Sequence, residues 1–83
     1  MRYILFVSEE CSYCVAAINF LKQKNLDYKS VVFGPGQKKV LQEMKEACDW
    51  DTVPMIFSRE GNTIEFIGGY TDLEKMFGDG RGI

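Results

Sequence analysis

The chain alternates short continuous apolar runs with segments in which apolar residues recur every three or four positions. Tyr3-Ile4-Leu5-Phe6-Val7 is a run of the first kind, partly β-branched and aromatic, which predicts a buried strand of a parallel sheet. From Ser12 to about Lys24 the pattern switches. Cys14, Ala17, Ile18 and Leu21 fall at helical spacing, and Val15 and Phe20 widen the stripe. Lys22 and Lys24 place cations in the last turn, where the helix dipole favours them, and Asn25 suits the cap. Tyr28 to Phe33 is a second strand with Val31, Val32 and Phe33 at its apolar end. Strand, helix and strand within about 30 residues make a βαβ unit, hence a right-handed crossover and parallel pairing.

Gly34-Pro35-Gly36 breaks the chain, and a second helix is predicted over Lys38 to Cys48, burying Val40, Leu41, Met44, Ala47 and Cys48. Asp49 to Pro54 is a loop ending in proline. Met55-Ile56-Phe57 is a short third strand, Ser58 to Asn62 is turn chemistry, and Thr63 to Ile67 is a fourth strand. Alternation of Ile64 and Phe66 against Thr63 and Glu65 makes the last two an antiparallel hairpin. Gly68-Gly69 permits unusual backbone, and Thr71-x-x-Glu74 reads as a capping box opening a last helix with Leu73, Met76 and Phe77. Gly78 ends it. The order is βαβαββα in one domain over residues 1–78, with 79–83 a flexible tail.

Composition narrows the class. A chain of 83 residues makes one small domain, and it buries roughly 60–65% of the surface its unfolded form exposes. Hydrophobic residues make up 46%, which fits a folded protein and not a disordered one. The formal net charge of −2 and the lack of any basic block argue against nucleic-acid binding. No apolar run approaches the roughly 20 residues of a membrane helix, and no signal peptide is expected. Three cysteines, an odd count, do not fit a secreted disulfide framework. A reducing cytoplasm is the expected setting, where Cys-x-x-Cys is usually catalytic or metal-binding.

That pattern is Cys11-Ser12-Tyr13-Cys14, between the first strand and the first helix. With Cys11 at the N-cap, its sulfur faces unpaired backbone N–H groups and the positive end of the helix dipole. Those groups favour the thiolate, the nucleophile of disulfide exchange. Cys14, one turn on, is placed to attack a mixed disulfide held on Cys11. A structural zinc site would need two more ligands; the chain has no histidine, and Cys48 is its only other cysteine. Cys48, on the apolar stripe of the second helix, reads as core. Trp50 is either a docking residue or a lid on the core.

Cys11-Ser12-Tyr13-Cys14, Thr52-Val53-Pro54 and Gly68-Gly69-Tyr70-Thr71-Asp72-Leu73, in this order and spacing, resemble the glutaredoxins over residues 2–77. The resemblance implies a thioredoxin-like α/β fold, a four-stranded mixed sheet flanked by three helices. It implies a glutathione-dependent thiol–disulfide oxidoreductase acting on protein disulfides and protein–glutathione mixed disulfides. Cys11 would be the nucleophile and Cys14 the resolving cysteine. Pro54 would follow a cis bond, so that Val53 meets the cysteinyl part of glutathione with Thr52 beside it. Tyr13 would line the groove, and Gly69, Tyr70 and Thr71 would hold the γ-glutamyl end. Glutathione would be a co-substrate, with no obligatory cofactor and a monomer as the working form.

The chain also departs from that family. Most members carry a lysine three residues before the nucleophile, and here the position is Ser8. Glu9 and Glu10, at roughly 8 Å in a water-like dielectric, would each oppose a thiolate by about 0.5 kcal/mol. Leu41 stands where the second helix often supplies a basic or amide group; Gln37, Lys38 and Lys45 are the available substitutes. Two alternatives follow from these departures. One is a dithiol electron donor to an enzyme such as ribonucleotide reductase, recycled by a thioredoxin-reductase-like flavoprotein. The other follows from Ser12, which replaces the commoner proline: a [2Fe–2S] carrier whose cluster is bound by Cys11 thiolates of two chains and by glutathione.

Overall fold

In the structure, a computed structural model that describes residues 2–78, four strands and three helices follow the expected order. They are β1 (Arg2–Ser8), α1 (Ser12–Gln23), β2 (Asp27–Phe33), α2 (Lys38–Ala47), β3 (Met55–Glu60), β4 (Thr63–Gly68) and α3 (Tyr70–Met76). A single 3-10 turn, Pro35–Gln37, leads into α2. The expected tail, 79–83, lies outside the described residues. No helix among the described residues is long and apolar enough to cross a membrane.

The sheet has the order β2-β1-β3-β4. β1 runs parallel to β2 and antiparallel to β3, and β3 is antiparallel to β4. Alternation along β1 explains the two layers. Tyr3, Leu5 and Val7 pack with Cys14, Ala17, Phe20 and Leu21 of α1 and Leu73 of α3. On the opposite face, Phe6 joins Phe33, Leu41 and Met55 under α2. The middle of the sheet is therefore covered on both sides, which is why β1 reads as an unbroken apolar run.

The helix ends are closed by backbone geometry. Asn25 adopts φ 57°, and the N–H groups of Asn25 and Leu26 donate to the carbonyls of Lys22 and Leu21 at 3.0 Å each. This is the paired capping pattern of a left-handed C-terminal residue, as Asn25 led us to expect. Asp49, with φ 54°, does the same for α2.

Four local expectations need correction. In α2 only Leu41 is buried; Val40 and Ala47 are exposed, and Met44 and Cys48 are half-buried. The helix rests on the sheet along one narrow stripe. β3 continues through Ser58, Arg59 and Glu60, leaving Gly61-Asn62 as the turn, because backbone pairing to β1 and β4 does not require apolar side chains. In β4, Ile64 is exposed while Phe66 packs inward on Trp50 and Phe57. The last helix is capped at Gly69, not Thr71: the Gly69 N–H donates to Asp72 Oδ2 at 3.0 Å.

Candidate active site

The end of β1 delivers the chain to the N-terminus of α1 through Ser8, Glu9 and Glu10. Glu10 takes a left-handed φ of 55°, and Cys11 then returns to extended backbone as the N-cap. Its sulfur accepts a hydrogen bond from the Cys14 N–H at 3.2 Å, so a sulfur does here what a Ser or Asp oxygen does in other helices. The Cys14 side chain comes round one helical turn to meet it. The two residues form a disulfide across a Cα separation of 5.2 Å.

The partners are unequally exposed. Cys14 is buried under β1 and the body of α1, at 3% exposure, whereas Cys11 is partly open. In the dithiol form burial, and secondly the Cys11 sulfur beside it, push the Cys14 thiol up to about 12. Cys14 therefore keeps its proton at neutral pH. The two sulfurs are divided into an accessible one and a protonated reserve.

The loop before β3 supplies the second wall. The Val53–Pro54 bond is cis, as the resemblance implies, and the Val53 carbonyl oxygen lies 3.9 Å from the Cys11 sulfur. Pro54 is fully buried and Thr52 is exposed. The start of α3 closes in from the side. A Cβ added to Gly69 would stand 3.6 Å from Trp50 and 3.7 Å from the Pro54 carbonyl oxygen, which brings loop, tryptophan and helix start together. Trp50 is half-buried there, edge-on to Phe66 with centroids 5.3 Å apart, and serves as a lid on the core. Tyr13 is 64% exposed, yet its ring stands 6.4 Å from that of Tyr70, whose hydroxyl donates to Glu74 at 2.7 Å. Thr71 is exposed. Cys11, Cys14, Val53, Pro54, Gly69, Tyr70 and Tyr13 thus converge, and Thr52 and Thr71 flank that group in the chain.

A pocket of about 590 Å³ opens on the α2 side of the same loop. Lys38, Leu41, Gln42 and Lys45 line it from α2, facing Ser8, Glu9 and Glu10. Their spacing of three, four and seven puts them on one stripe of the helix. Gln37 is not among them, since its side-chain oxygen accepts from the Gly34 N–H at 3.0 Å. Neither lysine makes an ion pair within the described residues. Gln42 was not singled out in sequence; the helical period running through Lys38 and Lys45 is the signal that would have found it. Among the described residues no group of three or more His, Cys, Asp or Glu gathers to hold a metal. A cluster on Cys11 would draw its other ligands from outside the chain.

Comparison with known proteins agrees with this geometry. The glutaredoxin family model matches residues 3–61. Among solved structures, glutaredoxin 1 from Francisella tularensis, determined as a complex with cacodylate, superposes with a TM-score of 0.69. The match covers 89% of this chain and 88% of that one at 24% identity, a likeness of fold. No curated protein sequence matches significantly. With the family model spanning well over half of the chain and the cysteine pair seated at the start of α1, the protein belongs to the glutaredoxin family of thiol–disulfide oxidoreductases.

Proposed function

We propose that this family member uses glutathione to reduce protein–glutathione mixed disulfides and protein disulfides, in a reducing compartment such as the cytoplasm. The observation that carries the reading is the half-buried Cys11, its sulfur 3.9 Å from the Val53 carbonyl, beside a pocket whose two lysines make no ion pair among the described residues. Val53 offers backbone to the cysteinyl part of the tripeptide. Tyr13, Tyr70 and Thr71 border the γ-glutamyl end, with Thr52 and Gly69 completing that wall. Lys38 and Lys45 supply the positive charge that Ser8 does not, and so receive the glycyl carboxylate.

The Cys11 thiolate attacks the glutathione sulfur of a protein mixed disulfide. A Cys11–glutathione bond forms, the protein–sulfur bond breaks, and the protein thiolate leaves and takes a proton. A second glutathione thiolate then attacks the bound one, releasing oxidised glutathione and restoring Cys11. With a protein disulfide, Cys11 first forms a mixed disulfide with one target sulfur. Cys14 then attacks the Cys11 sulfur, its proton going to the departing target thiolate, and the Cys11–Cys14 disulfide results.

An NADPH-coupled assay with a glutathionylated peptide tests this reading. One arm contains glutathione and glutathione reductase, the other thioredoxin reductase alone. Turnover confined to the first arm is expected. Turnover confined to the second would replace glutathione with a flavoprotein and make the chain a dedicated dithiol donor, the reading that Ser8 favours.

A further inference from the structure

The stripe Cys11, Val15, Ile18 follows helical spacing along the side of α1 turned away from α3, since Tyr13 and Phe20 occupy the side that meets Tyr70 and Phe77. With Val7, Glu10 and Cys14 these residues line a groove of about 440 Å³ that reaches the cysteine pair itself. The apolar surface continues outward. Val32 pairs with Val7 across the β1–β2 ladder and so faces the same side of the sheet, on an edge strand. Val15 and Val32 are 57% and 54% exposed. Glu10, in the wall of the groove, is exposed and without an ion-pair partner among the described residues.

We infer that this groove seats the polypeptide next to the target cysteine of a protein substrate, taking an apolar side chain against Val15 and Ile18 and a Lys or Arg against Glu10. The inference rests on the reading of Cys11 as the exchange nucleophile and is independent of which reductant recycles it. The groove is continuous with the reacting sulfur, and its wall carries the negative charge of Glu10, which has no ion-pair partner among the described residues. A cationic, apolar segment matches both properties, whereas an acidic segment meets repulsion. Glutathione, lying along Val53 toward α3 and α2, leaves this side open. The groove therefore selects the protein half of a mixed disulfide, not the glutathione half.

The test uses the reduced protein with Cys14→Ser and Cys48→Ser, so that Cys11 is its sole thiol. It is mixed with peptides whose single cysteine carries thionitrobenzoate as a mixed disulfide. Cys11 attacks the peptide sulfur, a Cys11–peptide bond forms, and the better leaving group, thionitrobenzoate, departs and is read by its colour. A peptide with Leu and Lys beside its cysteine is expected to react about tenfold faster than one with Ser and Glu, the size of effect that one half-buried leucine gives. Val15→Ser is expected to remove the Leu advantage while leaving the rate with hydroxyethyl disulfide unchanged. Glu10→Gln, or added salt, is expected to remove the Lys advantage.

Equal rates for the peptides would overturn the inference, as would a Val15→Ser variant slowed equally with the small disulfide. If Val15→Ser instead changes the sedimentation mass while peptide rates stay put, the groove is a self-association face and the inference falls. Absence of release from every peptide would overturn the nucleophile reading and this inference with it.

Discussion

Gly68→Ala is expected to cost the protein a large share of its stability, and the structure sets the size. Gly68 has φ 127°, a conformation that side-chain-bearing residues rarely adopt. A Cβ there would stand 2.6 Å from Asp72 Oδ2, 2.8 Å from its Cγ and 3.0 Å from its Cβ. Asp72 cannot swing aside freely, because its carboxylate accepts the Gly69 N–H that caps α3. The backbone conformation costs about 1–3 kcal/mol, and loss of a hydrogen bond to a charged group about 1.5–3 kcal/mol. Asp72 is half-buried, so the lower part of the second range applies, and the total is about 2.5–5 kcal/mol. A domain of this length holds roughly 4–12 kcal/mol in all. Urea unfolding followed by circular dichroism and by the fluorescence of Trp50, which stands 3.6 Å from a Cβ added at the neighbouring Gly69, measures the change. Gly61→Ala is the control: its φ is 62° with nothing within 4 Å, so it carries the backbone term alone. Adding Asp72→Ala to Gly68→Ala should cost less than the two single changes together, since the clash is then gone. A Gly68→Ala protein within about 1 kcal/mol of the parent would refute the reasoning.

Three further outcomes follow from the site. Because burial pushes the Cys14 thiol up to about 12 from its ordinary 9.0, the folded dithiol holds that proton more tightly than the unfolded chain. Its contribution is complete below pH 9.0 and is lost as pH rises toward 12, so the dithiol form should lose stability relative to the disulfide form across that window in paired urea titrations; parallel curves would contradict this. Ser8→Lys should raise the catalytic efficiency with glutathione severalfold and by no more than about tenfold, the reach of an exposed ion pair; an unchanged or lower efficiency would mean that the glycyl carboxylate does not pass Ser8. Lys38→Gln with Lys45→Gln should raise KM for glutathione while sparing exchange with hydroxyethyl disulfide, and the difference should shrink at high salt.

The parts of the fold that were legible in sequence are those where one local signal decides the matter. β1 could be read because Tyr3 to Val7 is covered on both faces, and the end of α1 because Asn25 is one of the few residue types that tolerates a positive φ. α2 misled for the same physical reason in reverse. An apolar residue on a helix that touches one sheet face along a narrow stripe looks no different in sequence from a buried one, so Val40 and Ala47 were expected inside. The Gly69 cap was hidden because glycine has no side chain to announce the role, and Thr71 offered a competing pattern. In the site, Cys11 and Cys14 were legible because their spacing is one helical turn, and Pro54 through the resemblance to the glutaredoxins. The choice of Lys38 and Lys45 over Gln37 and the groove at Val15 were not, since each depends on which side of a helix the sheet leaves uncovered.

The central claim divides the labour between the two cysteines, and one measurement separates them. Cys11→Ser and Cys14→Ser proteins are given a glutathionylated peptide, with glutathione and glutathione reductase in excess, and the release of peptide thiol is followed by mass spectrometry. Under the proposed mechanism the N-capping Cys11 needs only external glutathione to complete this reaction, while the buried Cys14 is needed when the target is a protein disulfide. Cys11→Ser should therefore show no turnover above the uncatalysed rate, and Cys14→Ser should retain a substantial part of it. Equal loss in both variants, or activity that survives without Cys11, would contradict the account.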